Sequence, residues 1–345
     1  SLQALAPEFH LRADRMYNAP DTEIDFTEQG GLMWGSSAVG KLIAGSNALK
    51  PHVQAFVDVE AGPEVAEKVA RRLQHFIDRK ISTLFEPLIN MQRDESLTGM
   101  ARGFAFQMIE GLGVLDRAGV GEDVKSLDQE ARSALRKHGI RFGQFTIFMP
   151  LLLKPAPTRL RLLLWSLASG LQEFPEAPPP GLVTVPTDET KPAGYHLKSG
   201  YRAAGQRALR VDMAERLADM LRTQDTRGGF EATADMLSIT GMTLEQFADL
   251  MQGLGYRAEK AERIKVKAPA ATPVAEEPAS DADASGDGPS QAVETAPQDA
   301  PTAEVSSVDL EAAAAAGTDA TEVDASKEAA PVEMEVYYTF AWGAK

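Results

Sequence analysis

"ADMLSITGMTLEQFADLMQGLGYRAEKAERIKVK", residues 234–267, changes its hydrophobic period part way along. The spacing predicts two short helices, about Ala232 to Ile239 and Leu244 to Gly253, joined through Thr240-Gly241-Met242. Thr243 with Gln246 three residues later is a capping box, so the second helix has a marked start. "GYRAEKAERIKVK" follows as a strand or hairpin arm. Residues Thr233 to Lys260 therefore read as a helix-turn-helix with a wing. The second helix carries Glu245 and Asp249 and no base, which suits a structural or protein contact better than reading a DNA major groove.

Upstream, "DMAERLADMLRT" is a clear helix, whereas "GYRAAGQRALRV" holds too many small residues to read as a strand. Residues 173–192, with prolines at 175, 178, 179, 180, 186 and 192, form an irregular connection. Before it, Pro155 and Pro157 introduce a helix over "TRLRLLLWSLASG". Ser126 and Gln129 read as another capping box, whose helix ends at Arg136-Lys137-His138 before Gly139. A helix from about Leu97 to Ala118 carries Met100, Phe104, Met108, Ile109, Leu112 and Leu115 on one side. The helix opened by Gly62-Pro63 puts Val65, Val69, Leu73, Phe76, Ile77, Ile81 and Leu84 on one stripe, and Pro87 breaks or kinks it. Glu23 to Val59 alternates in short pieces between glycines, the pattern of a small antiparallel sheet.

The fold expected is α+β and mainly α. Its parts are a β-rich subdomain over 1–61, a helical bundle over 62–172, the connection at 173–192 and a winged-helix-like unit over 193–267. Residues 268–332 are rich in Ala, Pro, Glu, Asp, Ser and Thr without an aromatic, which predicts a disordered acidic linker. "MEVYYTFAWG", residues 334–343, alternates β-branched and aromatic residues and predicts a strand that returns to dock on the body.

The net charge of −15 belongs to that linker and tail: residues 268–345 hold 16 of the 50 acids and two of the 35 bases, leaving 34 acids and 33 bases in the body. A neutral body still permits a basic face. Disulfides and zinc–thiolate sites are excluded because there is no cysteine. The opening "SLQALAPEFHLRAD" lacks the features of a signal peptide and reads as an internal cut. Phe142 to Leu153, the longest uncharged apolar run in the body, is too short for a membrane span, so the expectation is a cytoplasmic chain without a membrane partner.

"GSSAVGKL", residues 35–42, has the glycines and lysine of a phosphate-binding loop, but Leu42 stands where Ser or Thr must hold magnesium. It reads as a β-turn. His10, His52, His75, His138 and His196 show no metal-ligand spacing, and no nucleophile elbow or paired-carboxylate motif is present, so neither a metal site nor catalytic residues are predicted. A stand-alone hydrolase would need a pocket of carboxylates or histidines assembled only in the fold.

Two acid-free tracts stand out. Between Glu130 and Glu173 lie Arg132, Arg136, Lys137, Arg141, Lys154, Arg159 and Arg161; between Glu189 and Asp212 lie Lys191, Lys198, Arg202, Arg207 and Arg210. At the body's average, these 64 positions would hold about eight acids. One reading is a phosphate-tracking face, with Phe142, Phe145, Phe148 or Tyr201 near it, that binds single-stranded nucleic acid. The other is that the phenylalanines are core and the bases balance acids elsewhere. The nucleic-acid candidates are Arg132, Arg136, Lys137, Arg141, Lys154, Arg159, Arg161, Lys198, Arg202, Arg207 and Arg210.

"SLTGMARGFAFQMIEGLGVLDR", "VKSLDQEARSALRKHGIRFGQFTIFMPLLLKPAPTRLRLLLWSL", "GYRAAGQRALRVDMAERLADMLR" and "MLSITGMTLEQFADLMQGLGYRAE" together resemble the C-terminal region of alphaproteobacterial relatives of the mitochondrial degradosome RNA helicase, a DExH-type superfamily 2 enzyme. The resemblance spans about residues 8–264 and the last strand. It implies an ATP-dependent parent whose two RecA-like motor domains, with ATP and magnesium, lie outside this chain. This chain then needs no cofactor and is not an enzyme alone. Its expected partners are single-stranded RNA or DNA and its own motor domains; the alternative is a docking module for a ribonuclease or the ribosome.

Overall fold

A computed structural model describes residues 11–57, 61–266 and 331–343. The fold is α+β and mainly helical. After a helix at 11–18 (α1), four strands form an antiparallel sheet in sequential order: β1 (Ile24–Phe26), β2 (Gly31–Trp34), β3 (Ser37–Ile43) and β4 (His52–Ala55). The "GSSAVGKL" stretch is the β2–β3 turn and β3 itself. Lys41 sits in the ladder opposite Gly31 and Gln54, with its side chain in solvent. A Cβ on Gly40 would stand 2.9 Å from both the Gln54 carbonyl and Leu73, so this glycine serves the approach of sheet to helix.

That helix is α2 (Pro63–Leu84), with Pro63 at its first turn and the expected stripe, Val65 to Ile81, buried. Arg72 lies on the same face at 4% exposure, held by the Asp21 carboxylate and the Ala19 carbonyl, each at 2.7 Å. The chain breaks at Phe85, and α3 (Glu86–Arg93) restarts with Pro87 in its first turn. One continuous apolar core joins Leu32 and Leu42 of the sheet to Phe76, Phe104, Ile147 and Leu164.

Helix α4 covers Gly99–Glu110, not Leu97 to Ala118. Gly111-Leu112-Gly113 breaks it, with positive φ at Leu112 and Gly113, and Leu115 belongs to strand β5 (Val114–Asp116). The apolar period ran on past the break because β5 is also buried at Val114. The helix α6 (Gln129–Lys137) is capped by Asp128, which accepts from the Ala131 N–H at 2.7 Å; Ser126 ends the preceding α5 (Gly121–Ser126) instead. Its C-terminus is as expected, closing at His138 and a left-handed Gly139. His138 Nε2 lies 2.6 Å from Asp94 Oδ2.

Strands β6 (Arg141–Phe142) and β7 (Thr146–Phe148) complete a sheet in the order β5-β7-β6. Helix α7 (Pro155–Ala168) follows, buried on most of its circumference, and α8 is the single turn Tyr195–Lys198. The connection at 173–192 contains a strand, β8 (Thr184–Pro186), and "GYRAAGQRALRV" is a hairpin, β9 (Tyr201–Ala204) and β10 (Arg207–Arg210). Its small residues hid the strands for a tertiary reason: a Cβ on Gly253 would overlap the Ala204–Gly205 backbone, so a helix packs directly on this turn.

That helix is α11 (Leu244–Gly253), preceded by α9 (Val211–Leu221), β11 (Phe230–Glu231) and α10 (Ala234–Thr240). The Thr243–Gln246 capping box is realised in both directions. Strands β12 (Tyr256–Ile264) and β13 (Met334–Trp342) complete a three-stranded sheet in the order β11-β13-β12, which is the winged-helix arrangement. The last strand docks as expected and takes the central place, with Phe340 at 0% exposure against Phe230 and Phe247 in a second core. The linker expected to be disordered, apart from 331–332, lies almost wholly outside the described residues.

The chain divides into two units, residues 1–262 with 336–345, and residues 263–335. In the second, the described ends form a ribbon tied by Arg263–Glu335 at 2.7 Å and by the Lys265 N–H to the Glu333 carbonyl at 2.8 Å. No helix among the described residues is long and apolar enough to cross a membrane.

Candidate nucleic-acid interface

The eleven candidate bases do not form one surface; the fold sorts them into three environments. Arg161 is interior and Lys198 is half-buried. Arg161 is 0% exposed and donates to the carbonyls of Lys198 and Leu152, both at 2.7 Å, and to Thr158 Oγ1. Burial pushes its pKa downward. Lys198 Nζ donates to the carbonyls of Gly111, just past the end of α4, at 2.6 Å and of Val114, at the start of β5, at 3.3 Å. Burial first, and then the nearby Arg161 charge, push the ammonium pKa down to about 8. Arg161 cannot reach a polyanion and Lys198 spends its ammonium on two backbone carbonyls, so both correct the expectation that an acid-free tract is a surface.

A second group is already engaged. Arg159 is held by Glu28 at 2.5 Å, Asp25 at 3.4 Å and the Phe26 carbonyl at 2.6 Å, with its guanidinium 4.1 Å from the Phe26 ring centre. Arg210 makes a two-point pair with Asp212 at 2.6 and 3.0 Å. Arg202 lies over Phe145 and 3.4 Å from Asp116. Arg132 donates to the Val124 carbonyl and Arg207 to Thr184 Oγ1, and the Nε of each is buried. Arg159, Arg202 and Arg210 are thus balanced by acids that lie outside the two tracts, whereas Arg132 and Arg207 are tied to neutral oxygens.

Arg136, Lys137, Arg141 and Lys154 remain exposed, and among the described residues no carboxylate lies within ion-pairing distance of them. Arg136 and Arg141 line a groove of about 940 Å³ whose opposite wall is α9 with its C-cap, contributing Arg216 and Arg222. Phe142, 5.7 Å from the Arg136 guanidinium, and Leu151, 58% exposed, supply apolar surface.

Three carboxylates also line the groove, so its formal balance is only +1. Each is committed, however. Asp212 holds Arg210, and Asp219 lies 3.2 Å from Arg222. Glu215 accepts three backbone N–H groups, from Gln144 at 2.5 Å, Phe145 at 2.8 Å and Thr146 at 3.0 Å. Arg136, Arg141 and Arg216 are left without ion-pair partners among the described residues, and they are the groups free to meet phosphates. Buried Ile147 and Phe148 on β7 set the wall behind them, so the 136–155 stretch is interior on β7 and solvent-facing at Arg136 and Arg141.

Arg216, Arg222 and Glu215 were not among the candidates, because they lie in a stretch that mixes acids with bases and falls outside both acid-free tracts. The available signal was the helical spacing of Asp212, Glu215, Asp219 and Arg222, at i, i+3, i+7 and i+10, which puts a charged stripe along one side of α9. The acidic α11 is no groove reader: Asp249 accepts the Gln206 N–H at 2.6 Å, and the β9–β10 turn covers that side. Among the described residues no cluster of His, Asp and Glu could hold a metal ion. Comparison of the chain with family models, curated proteins and solved structures gave no significant match.

Proposed function

We propose that this chain is the accessory region of an ATP-dependent helicase, and that it guides or clamps single-stranded RNA or DNA along the groove between the 136–151 segment and α9. The observation that carries the reading is the gathering of Arg136, Arg141 and Arg216, from two distant parts of the sequence, on facing walls without carboxylate partners among the described residues. Each phosphate neutralised on a single strand contributes about −0.7 to the slope of log affinity against log salt. Neutralising Arg136, Arg141 and Arg216 to Gln should therefore flatten the slope by about 2 and weaken oligonucleotide retention at low salt. A slope within error of the unsubstituted chain would remove the groove from the binding path.

A protein-docking role is the second reading. It is favoured by the ribbon in the second unit, where Ile264, Val266, Val332 and Met334 are 56 to 85% exposed. Loss of nucleic-acid retention on groove neutralisation separates the two.

A further inference from the structure

The groove adjoins a second cavity of about 610 Å³, and Pro150 and Asp212 line both. The two differ in charge state. In the second cavity Arg159 is matched by Glu28 and Arg210 by Asp212, and the two remaining charged lining residues, Lys154 and Glu176, leave it formally neutral. Lys154 is its one lining cation with no carboxylate in ion-pairing distance among the described residues. Much of the remaining wall is apolar: Leu153, Pro155, the prolines 178–180 and Leu182, which is 43% exposed. Tyr201 fastens the proline loop to the body by donating its hydroxyl to the Leu182 carbonyl at 2.6 Å.

Adjacent spaces of this kind divide a nucleotide by chemistry. Phosphates are drawn to uncompensated guanidinium groups, whereas a neutral heterocycle gains by covering apolar surface and gains nothing from charge. The cavity volume lies within the range of about 300–1,000 Å³ typical of small-ligand sites and is ample for a base with its sugar. Resting on the groove reading above, we propose that this cavity takes one unstacked nucleobase of the strand whose phosphates occupy the arginine groove. Lys154 meets the phosphate at its mouth, and the Pro178–Leu182 loop covers the base.

The test scans a single 4-thiouridine through an oligouridine bound to the full chain, with ultraviolet cross-linking and peptide mapping. Cross-links to residues 153–155 or 178–182 from one position of the strand are expected, and an abasic sugar at that position should weaken binding at least about fivefold, the low end for one buried base. Leu182→Trp, whose larger ring narrows the cavity, should lower the yield of those cross-links while leaving the salt slope intact. Leu182→Ala, the milder change, should shrink the abasic penalty. Retention with cross-links confined to the 136–142 wall would overturn the base pocket and leave the groove standing. Failure of the unsubstituted chain to retain any oligonucleotide would overturn the groove and the pocket together.

Discussion

Glu215 is the side chain whose removal should do most damage for its size. It projects from α9 and receives the N–H groups of Gln144 and Phe145 from the β6–β7 turn and of Thr146 from β7, two at Oε1 and one at Oε2. It thereby fixes the wall carrying Arg141 against the helix carrying Arg216. A hydrogen bond to a charged acceptor is worth about 1.5–3 kcal/mol. In Glu215→Gln the amide oxygen can keep two of the donors, but its NH2 faces the third, so about 2 kcal/mol should be lost. Glu215→Ala loses all three, and water at the exposed turn replaces part, for about 3–5 kcal/mol. Gly143→Ala attacks the same contact from the other side, because a Cβ there would overlap the Glu215 carboxyl group. Urea unfolding of the two single variants and of Glu215→Gln with Gly143→Ala should show strong non-additivity, since the second change finds the contact already broken. The variants should also weaken oligonucleotide binding without altering any arginine. Additive effects, or a Glu215→Gln loss under about 0.5 kcal/mol, would show that the pin carries no load and refute the reasoning.

Lys198 should make stability rise with pH. Its folded pKa of about 8 lies below the ordinary value of 10.5, so between pH 8 and 10 the unfolded chain binds the proton more tightly. Unfolding free energy should climb by about 2–3 kcal/mol across that window, and Lys198→Met should remove the climb. A slope identical in the variant would place its origin elsewhere. Above pH 10 the trend should reverse, because burial raises the phenol pKa values of Tyr195, Tyr201 and Tyr256 and the unfolded chain then releases those protons first. Phe340→Ala should cost about 3–5 kcal/mol, since it empties the centre of the winged-helix core 5.4 Å from the Phe247 ring; a thermal shift worth less than about 1 kcal/mol would mean that the strand is dispensable.

The elements that local chemistry specifies were legible from the chain alone. The Val65–Ile81 stripe, the Thr243–Gln246 cap and the alternation in 334–342 each carry their own periodicity, and each lies where that periodicity puts it. The β9–β10 hairpin was not legible, because Ala204 and Gly205 are small to admit Gly253 of α11, a contact made far along the chain. The charges divide in the same way. Counting along the chain located two acid-free tracts, yet Arg159 finds Glu28 at a separation of 131 residues, Arg161 is sealed inside, and Arg136 and Arg141 face an arginine from a helix rich in acids. Coulomb attraction and desolvation act through space over a few ångströms, so which bases stay free depends on the neighbours that folding supplies. A linear count is blind to those neighbours.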